Sequence, residues 1–305
     1  MENEGILVGL RKYINAFKVA PGKKVSLKTD YHTRQQQELV QKEQSKQMLK
    51  TCTKEISDLQ ERLYADNRHS LLIVLQGMDA AGKDSMIKQV YSGINPQGVR
   101  VTSFKAPSAE ELDHGYLWRH NKSLPARGEI AVFNRSHYEN VLITRVHPEY
   151  ILAENLPDTK TVKDIDKKFW QKRYDQINSF EKTVAENGTL ILKFYLHLSK
   201  KEQKERFLER IEKPSKNWKF SEGDLEERKH WKEYMEAYEE MLNATSTAHA
   251  PWFVLPADSK WFARLAMAMV IVSELKKLQL EYPTLADDAV KGLQGMRQRL
   301  MEEEE

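Results

Sequence analysis

The segment from Gly77 to Lys83 has the residue types and the spacing of a phosphate-binding loop. It reads Gly-Met-Asp-Ala-Ala-Gly-Lys and fits the pattern G-x-x-x-x-G-K. In such a loop the backbone amides and the start of the following helix surround a phosphate, and the lysine adds a mobile positive charge. The pattern therefore predicts the binding and transfer of phosphoryl groups.

Two carboxylates make this loop unusual. Asp84 follows the lysine at the position where most such loops carry the Ser or Thr that ligates magnesium. Asp79 lies inside the loop, where it would repel phosphates unless a cation lies between them. We interpret Asp79 as a metal ligand or as the group that orients the attacking phosphate. The alternative is that it caps the loop backbone.

Three arginines could stabilise charge on a transferred phosphate. Arg135 directly follows a predicted strand, which places it at the crevice where α/β sheets bind ligands. Arg206 and Arg210 lie four residues apart on one helix face, just before the basic segment 213–223. We predict that these two act as arginine fingers. The alternative is an exposed helix face on which they pair with the glutamates of the same helix.

Five short apolar runs indicate the strands that hold these residues. Residues 71–75 are an unbroken apolar run that precedes the loop, and the loop is followed by a predicted helix at 85–91. The other predicted strands are 99–104, 129–133, 190–198 and 252–255. Helical patterns separate them, which predicts an α/β fold with a doubly wound, mostly parallel five-stranded sheet.

The chain divides into regions within a predicted single domain, 1–305. Residues 1–68 contain a basic arm, either exposed or forming one wall of an anion channel, and a long N-terminal helix. Residues 69–280 form the core, with a helical lid at about 200–224, and residues 281–305 form a C-terminal helix and an acidic tail. The lid turn contains Trp218 and Lys219, a composition that suits a mobile cover over an anion.

The long N-terminal helix is predicted to begin at a capping box formed by Thr33 and Gln36 and to end near Asn67. Apolar residues recur along it at intervals of three and four. They are Leu49, Cys52, Ile56, Leu59 and Leu63. This stripe packs either on the domain or on another subunit, and the sequence does not decide between them.

Composition limits the classes of partner. The 305 residues contain 48 Lys and Arg against 45 Asp and Glu, a net charge of +3, which argues against a nucleic-acid-binding protein. No apolar run approaches the 18 residues or so that a membrane span needs, and Cys52 is the single cysteine. We therefore expect a cytoplasmic protein that binds neither nucleic acid nor membrane.

At this point several motifs resemble those of the family-2 polyphosphate kinases, in order from about residue 20 to residue 280. They are Gly77-Met-Asp79-Ala-Ala-Gly82-Lys83-Asp84, Pro96-Gln-Gly98, Phe133-Asn-Arg135-Ser-His-Tyr-Glu139, Arg206 with Arg210, Trp218-Lys219, and Pro251-Trp252. The segment from Asn134 to Glu139, followed by Arg145-Val-His147-Pro148, resembles the class III subgroup, which accepts nucleoside mono- and diphosphates.

The resemblance implies a thymidylate-kinase-like P-loop fold and reversible transfer of the terminal phosphate of inorganic polyphosphate to ADP and AMP, giving ATP. It also implies dependence on Mg²⁺, with Mn²⁺ as a substitute, and self-association to a dimer or tetramer. Adenine nucleotides are the expected acceptors, with guanine as a second base. By the resemblance Asp79, Lys83, Arg135, Arg206 and Arg210 are catalytic.

A chain with about one charge per phosphate needs a row of cations, which these residues can supply along the carboxyl edge of the sheet: Lys83, Lys88, Lys105, Arg119, Arg135, Arg206 and Arg210. The predicted binding residues form a larger set. Besides the catalytic residues they are Gly77, Met78, Ala80, Ala81, Gly82, Asp84, Ser85, Lys88, Lys105, Arg119, Asn134, Trp218 and Lys219. The expected metal ligands are Asp79, Asn134 and Glu139, with substrate phosphates completing the shell. For Glu139 the alternative role is to complement the charge of a helix N-terminus.

Two other functions remain compatible with the residues. One is an ATP-dependent nucleoside monophosphate kinase, which shares the fold, and the other is a non-catalytic polyphosphate-binding protein. The sequence does not distinguish the direction of reaction, the preference between AMP and ADP, the chain length of the polyphosphate, or the substrate that the loop binds first.

Overall fold

A five-stranded, all-parallel sheet forms the centre of the protein in this computed structural model, which describes residues 13–303. The strands are β1 Ser70–Gln76, β2 Val99–Ser103, β3 Ile130–Asn134, β4 Thr189–His197 and β5 Trp252–Pro256. Their order across the sheet is β2-β3-β1-β4-β5. The predicted α/β fold with a doubly wound parallel sheet is confirmed, and each strand lies within two residues of its predicted position.

Twelve α-helices surround the sheet in residues 13–303. They are α1 Lys42–Asp66, α2 Lys83–Val90, α3 Ala109–Leu112, α4 Trp118–Asn121, α5 Ile143–Val146, α6 Lys167–Glu186, α7 Lys200–Glu212, α8 Pro214–Asn217, α9 Glu222–Lys229, α10 Trp231–Thr245, α11 Lys260–Lys276 and α12 Asp287–Glu302. Short 3-10 helices occur at 14–16, 37–39, 96–98, 137–141, 148–154 and 162–164. His230 separates α9 from α10.

The central strand, β1, is buried on both faces, as its unbroken apolar sequence predicts. Leu71 and Ile73 pack in a layer with α1, α2 and α11. Leu72 and Val74 pack in the opposite layer with α6 and α10. Because successive side chains of a strand point to opposite faces, one apolar run supplies two hydrophobic cores.

The order of the strands reverses at β1, and this creates the crevice. Leu75 lies beside Asn134 of β3 on one side and beside Phe194 of β4 on the other. The chain leaves β1 between these two neighbours and forms the phosphate-binding loop at the carboxyl edge of the sheet. Ligands of open α/β sheets bind at such a reversal point.

The long helix α1 begins later than predicted. The hydroxyl of Thr33 donates to a carboxylate oxygen of Asp258 at 2.9 Å instead of capping a helix. Gln36 has a φ of 60°, which is incompatible with a helical turn, so the helix starts only at Lys42. Its end at Asp66 agrees with the prediction.

The apolar stripe of α1 packs on the domain itself. Cys52, Ile56 and Leu63 are fully buried in the layer that also contains α11. An ion pair of 2.7 Å between Lys276 of α11 and Glu55 of α1 supports the same contact. This observation decides between the two alternatives that the sequence left open.

The described part of the basic arm, from residue 13 to residue 34, is not a free arm. The backbone amide of Val19 donates to the carbonyl of Trp252, and that of Val254 donates to the carbonyl of Phe17, so the segment pairs with the edge strand β5. Val25 and other apolar residues of the segment are buried while most of its lysines face solvent. The predicted arm residues Arg11 and Lys12, and the tail residues Glu304 and Glu305, lie outside the described residues.

Candidate active site

Two glycines give the phosphate-binding loop its shape. Gly77 has a φ of 156°, and a Cβ there would lie 3.0 Å from the Cβ of Leu196 and 3.1 Å from its carbonyl oxygen on β4. Gly82, with a φ of 106°, directly precedes α2 in a conformation that side chains rarely adopt. The loop therefore requires glycine at both ends, which explains the G-x-x-x-x-G spacing.

The remaining loop residues support this turn. The amide of Ala81 donates to the carbonyl of Met78 at 3.0 Å, and the hydroxyl of Ser85 donates to the carbonyl of Gly82 at 2.9 Å. Ala80 is held at a φ of 61°, a left-handed conformation that costs energy for a residue with a Cβ. Ala80 and Ser85 also line the cavity that the loop borders, so the predicted cradle is present as a built structure.

Lys83 lies against its own loop. Its ammonium group donates to the carbonyl of Gly77 at 2.6 Å and to that of Met78 at 3.4 Å. Burial lowers the pKa of Lys83, and the nearby Arg135 lowers it further, while Asp79 opposes both. An anionic ligand between Lys83 and Arg135 would remove that repulsion, which is the electrostatic condition for binding phosphate.

Arg206 clamps the loop, and its predicted role as an arginine finger stays a prediction. All five of its N–H groups have acceptors. They are the side chain of Glu202 and the carbonyls of Ala80, Ala81, Ala257 and Asp258. Its side chain is 4% exposed. Through these contacts Arg206 holds the phosphate-binding loop against the end of β5, and it also lines the cavity that the loop borders.

Asp79 and Arg135 form an ion pair at the floor of the crevice. Nη2 of Arg135 lies 2.9 Å from Oδ1 of Asp79, and both side chains are partly exposed. Gln203 of α7 donates to the backbone carbonyl of Asp79 at 3.0 Å. Arg135 itself has a φ of 60°, another strained left-handed residue of the kind that occurs at functional sites.

Asp84 is oriented by Asn134. The side-chain amide of Asn134 donates to Oδ1 of Asp84 at 2.7 Å and to the hydroxyl of Ser103 at 3.3 Å. In most P-loop enzymes the strand-end position carries a carboxylate, and the position after the loop lysine carries a Ser or Thr. Here Asn134 occupies the first position and supports the carboxylate of Asp84 at the second. The sequence shows that both usual ligand positions are altered, and the structure adds the hydrogen bond between them.

Residues of this site fit a hard divalent cation. Within residues 13–303 no cluster of three or more His, Cys, Asp or Glu side chains forms a preassembled metal centre. Asp79 and Asp84, however, line the same cavity, and magnesium is commonly held by one or two carboxylates together with substrate phosphates. Asn134 lines this cavity as well, whereas Glu139 lines a different one, and the expected metal ligands Asp79, Asn134 and Glu139 stay a prediction.

The loop borders a cavity of about 670 Å³, which we call the donor cavity. Cationic side chains dominate its wall: Lys83, Lys105, Arg135, Arg206, Arg210, Lys216, Lys219 and Lys260. Sequence analysis missed Lys216 and Lys260. The position of Lys260 could have signalled its role, because it follows the last strand at the carboxyl edge of the sheet.

A second cavity of about 380 Å³, the acceptor cavity, adjoins the first at Phe104, Lys105 and Arg135. About half of its other lining residues are apolar or aromatic, Tyr116 and Tyr150 among them, and the rest are polar or charged. Glu139 and Arg119 also line this cavity. Burial raises the pKa of Glu139, against the opposing charges of Arg135 and Lys83. Arg135 therefore lies between the donor cavity and the acceptor cavity.

Six predicted binding residues do not line the donor cavity: Gly77, Met78, Ala81, Lys88, Arg119 and Trp218. Lys88 is exposed on α2 beyond the cavity wall. Trp218 is 78% exposed, and its ring nitrogen donates to the carbonyl of Ser215. Arg119 lines the acceptor cavity and is held by Glu111 and by the carbonyl of Lys105.

A buried charged cluster supports the segment that carries Arg135. The ammonium group of Lys193 donates to Glu181 at 2.6 Å, to the hydroxyl of Tyr138 at 2.7 Å and to the carbonyl of Thr245 at 2.7 Å. His137 lies 3.1 Å from the other oxygen of Glu181. Burial disfavours the charged form of Glu181, but Lys193 and His137 hold its pKa below the usual range. The cluster fixes two residues that immediately follow the Arg135 turn.

Comparison with known proteins places the chain in a family. A family model for Polyphosphate kinase 2 (PPK2) matches residues 39–283, most of the chain. The chain belongs to the polyphosphate kinase 2 family. It is an enzyme, a polyphosphate kinase with the P-loop kinase fold. A crystal structure of polyphosphate kinase 2 from Arthrobacter aurescens TC1 is similar, with a TM-score of 0.75 and 41% sequence identity, covering 83% of this chain and 87% of that chain.

Two curated relatives are similar over most of their lengths. An ADP-polyphosphate phosphotransferase of Rhodopseudomonas palustris is 49% identical over 285 residues, 93% of this kinase and 97% of the relative. An AMP/ADP-polyphosphate phosphotransferase of Meiothermus ruber is 45% identical over 242 residues, 79% of this kinase and 85% of the relative. In the described part of the kinase, no helix has the length and apolar character needed to cross a membrane.

Proposed function

We propose that this polyphosphate kinase transfers the terminal phosphate of inorganic polyphosphate to ADP and AMP, reversibly, as a class III member of its family. The observation that carries the proposal is the meeting of the donor and acceptor cavities at Arg135. A phosphoryl group that is transferred between substrates in the two cavities would contact the guanidinium of Arg135. The names of the relatives from R. palustris and M. ruber support ADP, and the latter also supports AMP.

The donor cavity suits polyphosphate. A linear polyphosphate carries about one negative charge per phosphate, so it needs a row of cations and not a single point. The row here runs from Lys83 in the loop, past Arg210, to Lys216, Lys219 and Lys260. Because Lys216 belongs to α8 and Lys260 to α11, a chain longer than a nucleoside triphosphate can remain in contact with the protein.

The acceptor cavity suits a nucleoside. Its wall offers aromatic and apolar side chains for a base and ribose, together with polar side chains and Arg135. A nucleotide bound with its base among these side chains would direct its phosphates toward Arg135 and Lys83. We propose adenine as the preferred base and guanine as a second one.

In the forward reaction, an oxygen of the nucleotide's terminal phosphate attacks the terminal phosphorus of polyphosphate. The bridging P–O bond breaks, and the shortened chain leaves with the bond electrons. Lys83 and Arg135 stabilise charge on the transferred group, and Arg210 approaches it from the lid helix α7. Asp79 and Asp84 would hold Mg²⁺, or Mn²⁺ in its place, which when bound neutralises phosphate charge.

We further propose that the enzyme acts in the cytoplasm, where nucleotides are available, and that it binds neither nucleic acid nor membranes. The mild net charge of +3 supports the first of these exclusions. We also propose that it self-associates as a dimer or tetramer. Analytical ultracentrifugation of the full chain tests this directly, and a monomer at micromolar concentration would contradict it.

The activity is tested by incubating the enzyme with polyphosphate, Mg²⁺ and either AMP or ADP, with no ATP present, and separating the nucleotides by chromatography. The proposal predicts ADP and then ATP from AMP, and ATP from ADP. A product that forms from AMP only when ATP is added would instead identify an ATP-dependent nucleoside monophosphate kinase. Polyphosphate binding without any product would identify a non-catalytic protein.

A further inference from the structure

One carboxylate in the donor cavity has no part in the proposed reaction. Three acidic residues line that cavity, and two of them, Asp79 and Asp84, belong to the metal site. The third is Glu209, which lies on α7 between Arg206 and Arg210. A negative charge on the wall of a cavity for a polyanion opposes binding, so its presence needs a reason.

Glu209 gathers the lysines that a polyphosphate would need. Its Oε1 accepts hydrogen bonds from Lys213 at 2.6 Å and from Lys216 at 2.8 Å. Its Oε2 lies 4.0 Å from the ammonium group of Lys260. These lysines come from three different segments: the residue after α7, the helix α8, and the first residue of α11. One carboxylate thus connects the lid to the body of the enzyme.

The carboxylate is in its charged form under physiological conditions. Hydrogen bonds from Lys213 and then Lys216 lower the pKa of Glu209 to about 2. Burial lowers the pKa of Lys260, and the neighbouring Arg206 adds to that effect, while Glu209 opposes it. Lys216 and Lys260 can therefore pair either with the carboxylate of Glu209 or with a phosphate that enters the donor cavity.

We propose that Glu209 competes with the phosphates of polyphosphate for Lys216 and Lys260, and that it thereby weakens donor binding and speeds release of the shortened chain. This inference rests on the proposed function. A phosphate unit carries about the same charge as the carboxylate, so the exchange of one for the other costs little. The lysines are held in place before the donor arrives and are held again after the product leaves.

Neutralising Glu209 should therefore tighten the binding of polyphosphate. Glu209→Gln keeps the size of the side chain but removes the competing charge. Each exposed ion pair is worth up to about a factor of five, so we expect the Kd to fall roughly three- to tenfold. One more cation becomes available to phosphate, so the plot of log Kd against log salt should steepen by about one unit.

The test is calorimetric titration of the full-length enzyme with polyphosphate of defined length at several salt concentrations. Glu205→Gln is the matched control, because Glu205 carries the same charge on the same helix but is exposed and does not line the donor cavity. The inference predicts tighter binding and a lower KM for polyphosphate in Glu209→Gln, with no rise in kcat. In Glu205→Gln the Kd and the KM for polyphosphate should stay within about twofold of wild type. The Kd for ADP should do so in both variants.

Unchanged or weaker polyphosphate binding by Glu209→Gln would overturn the inference, because it would make Glu209 a mere support for the lid. Glu209→Ala must change the Kd in the same direction, which excludes an effect of the new amide. In a Lys216→Gln background the gain from Glu209→Gln should shrink. A wild-type enzyme that does not bind polyphosphate at all would refute the proposed function itself, an outcome distinct from the failure of this inference.

Discussion

The amide of Asn134 donates a 2.7 Å hydrogen bond to the carboxylate of Asp84. This contact links the end of β3 to the first turn of α2, at the place where P-loop enzymes commonly pair a carboxylate with a Ser or Thr around magnesium. Asp84 is exposed toward the donor cavity and Asn134 is nearly buried behind it. The amide therefore serves as a neutral support that fixes a carboxylate without adding to its charge.

Asn134→Asp should make metal binding tighter when polyphosphate is present. The substitution puts two carboxylates in contact, and like charges at this distance destabilise each other unless a cation lies between them. Calorimetry with Mg²⁺ should show a lower Kd in the presence of polyphosphate, while the melting temperature without metal falls. Asn134→Ala is the control, since it removes the hydrogen bond without adding charge. Equal Mg²⁺ affinity in Asn134→Asp and wild type would contradict this account of the metal site.

Asp79→Asn and Lys83→Ala should abolish most phosphoryl transfer and leave the fold intact. Each removes one charge from the reaction centre, a loss that typically raises the barrier by about 3–4 kcal/mol, or roughly 10²- to 10³-fold in kcat. The measurement is kcat together with circular dichroism. A folded Asp79→Asn enzyme with kcat within twofold of wild type would remove Asp79 from the site.

The two lid arginines should behave differently. Arg206→Lys cannot replace five hydrogen bonds, and the loop carbonyls that it leaves unpaired should lower the free energy of unfolding by about 2–4 kcal/mol as well as lowering kcat. Arg210→Ala should leave stability within about 1 kcal/mol of wild type and lower kcat more than it raises KM. Urea denaturation and steady-state kinetics on both variants provide the comparison. An equal loss of unfolding free energy in Arg206→Lys and Arg210→Ala would contradict the role assigned to Arg206 in holding the loop.

The buried pair of Lys193 and Glu181 should be sensitive to the loss of one partner. Both side chains are fully buried, so Lys193→Met leaves a buried charge uncompensated and should lower the free energy of unfolding by about 3–5 kcal/mol. The double variant Lys193→Met with Glu181→Leu should recover part of this loss. Lys276→Met, which breaks the half-exposed pair with Glu55, is the control and should cost less than about 1 kcal/mol. Additive losses in the double variant would contradict the coupling.

His197 should make stability depend on pH in the acid range. Burial lowers its pKa to about 4, against an opposing effect from Asp258. The unfolded chain, with an ordinary histidine pKa near 6.5, binds the proton first, so stability is full above that value and falls as the pH drops toward 4. Protonation of His197 should lower the free energy of unfolding by up to about 3 kcal/mol, because a difference of one between the folded and unfolded pKa corresponds to about 1.4 kcal/mol. Unfolding curves between pH 4 and 7 should flatten in His197→Gln, and an unchanged slope would contradict the assignment.

The fold could be predicted from the sequence because its signals are local. The apolar run at 71–75 and the glycines at 77 and 82 specify a buried strand and a turn with few alternatives. The start of α1 could not be predicted, because Thr33 bonds to Asp258, a residue more than two hundred positions away. A Thr in a capping-box sequence can cap a helix, but its hydroxyl can also bond to a distant residue in the folded chain, as that of Thr33 does.

The site was predicted only in part for a similar reason. Residue type identified Asp79, Lys83 and Arg135, and the structure places all three at one crevice. Residue type did not show that four of the five donors of Arg206 bond to backbone carbonyls, since those carbonyls lie on two distant loops. Lys260 was missed because its contribution depends on the packing of α11 beside the lid.

The most direct test of the central claim follows labelled phosphate from donor to acceptor. Polyphosphate labelled with ³²P is mixed with unlabelled ADP and Mg²⁺, and ATP is isolated after a single turnover in wild type and in Lys83→Ala. The account predicts that wild type places the label in the terminal phosphate of ATP, in an amount equal to the phosphate lost from the chain, and that Lys83→Ala forms roughly 10²- to 10³-fold less. Unlabelled ATP, or equal labelling by the two enzymes, would contradict it.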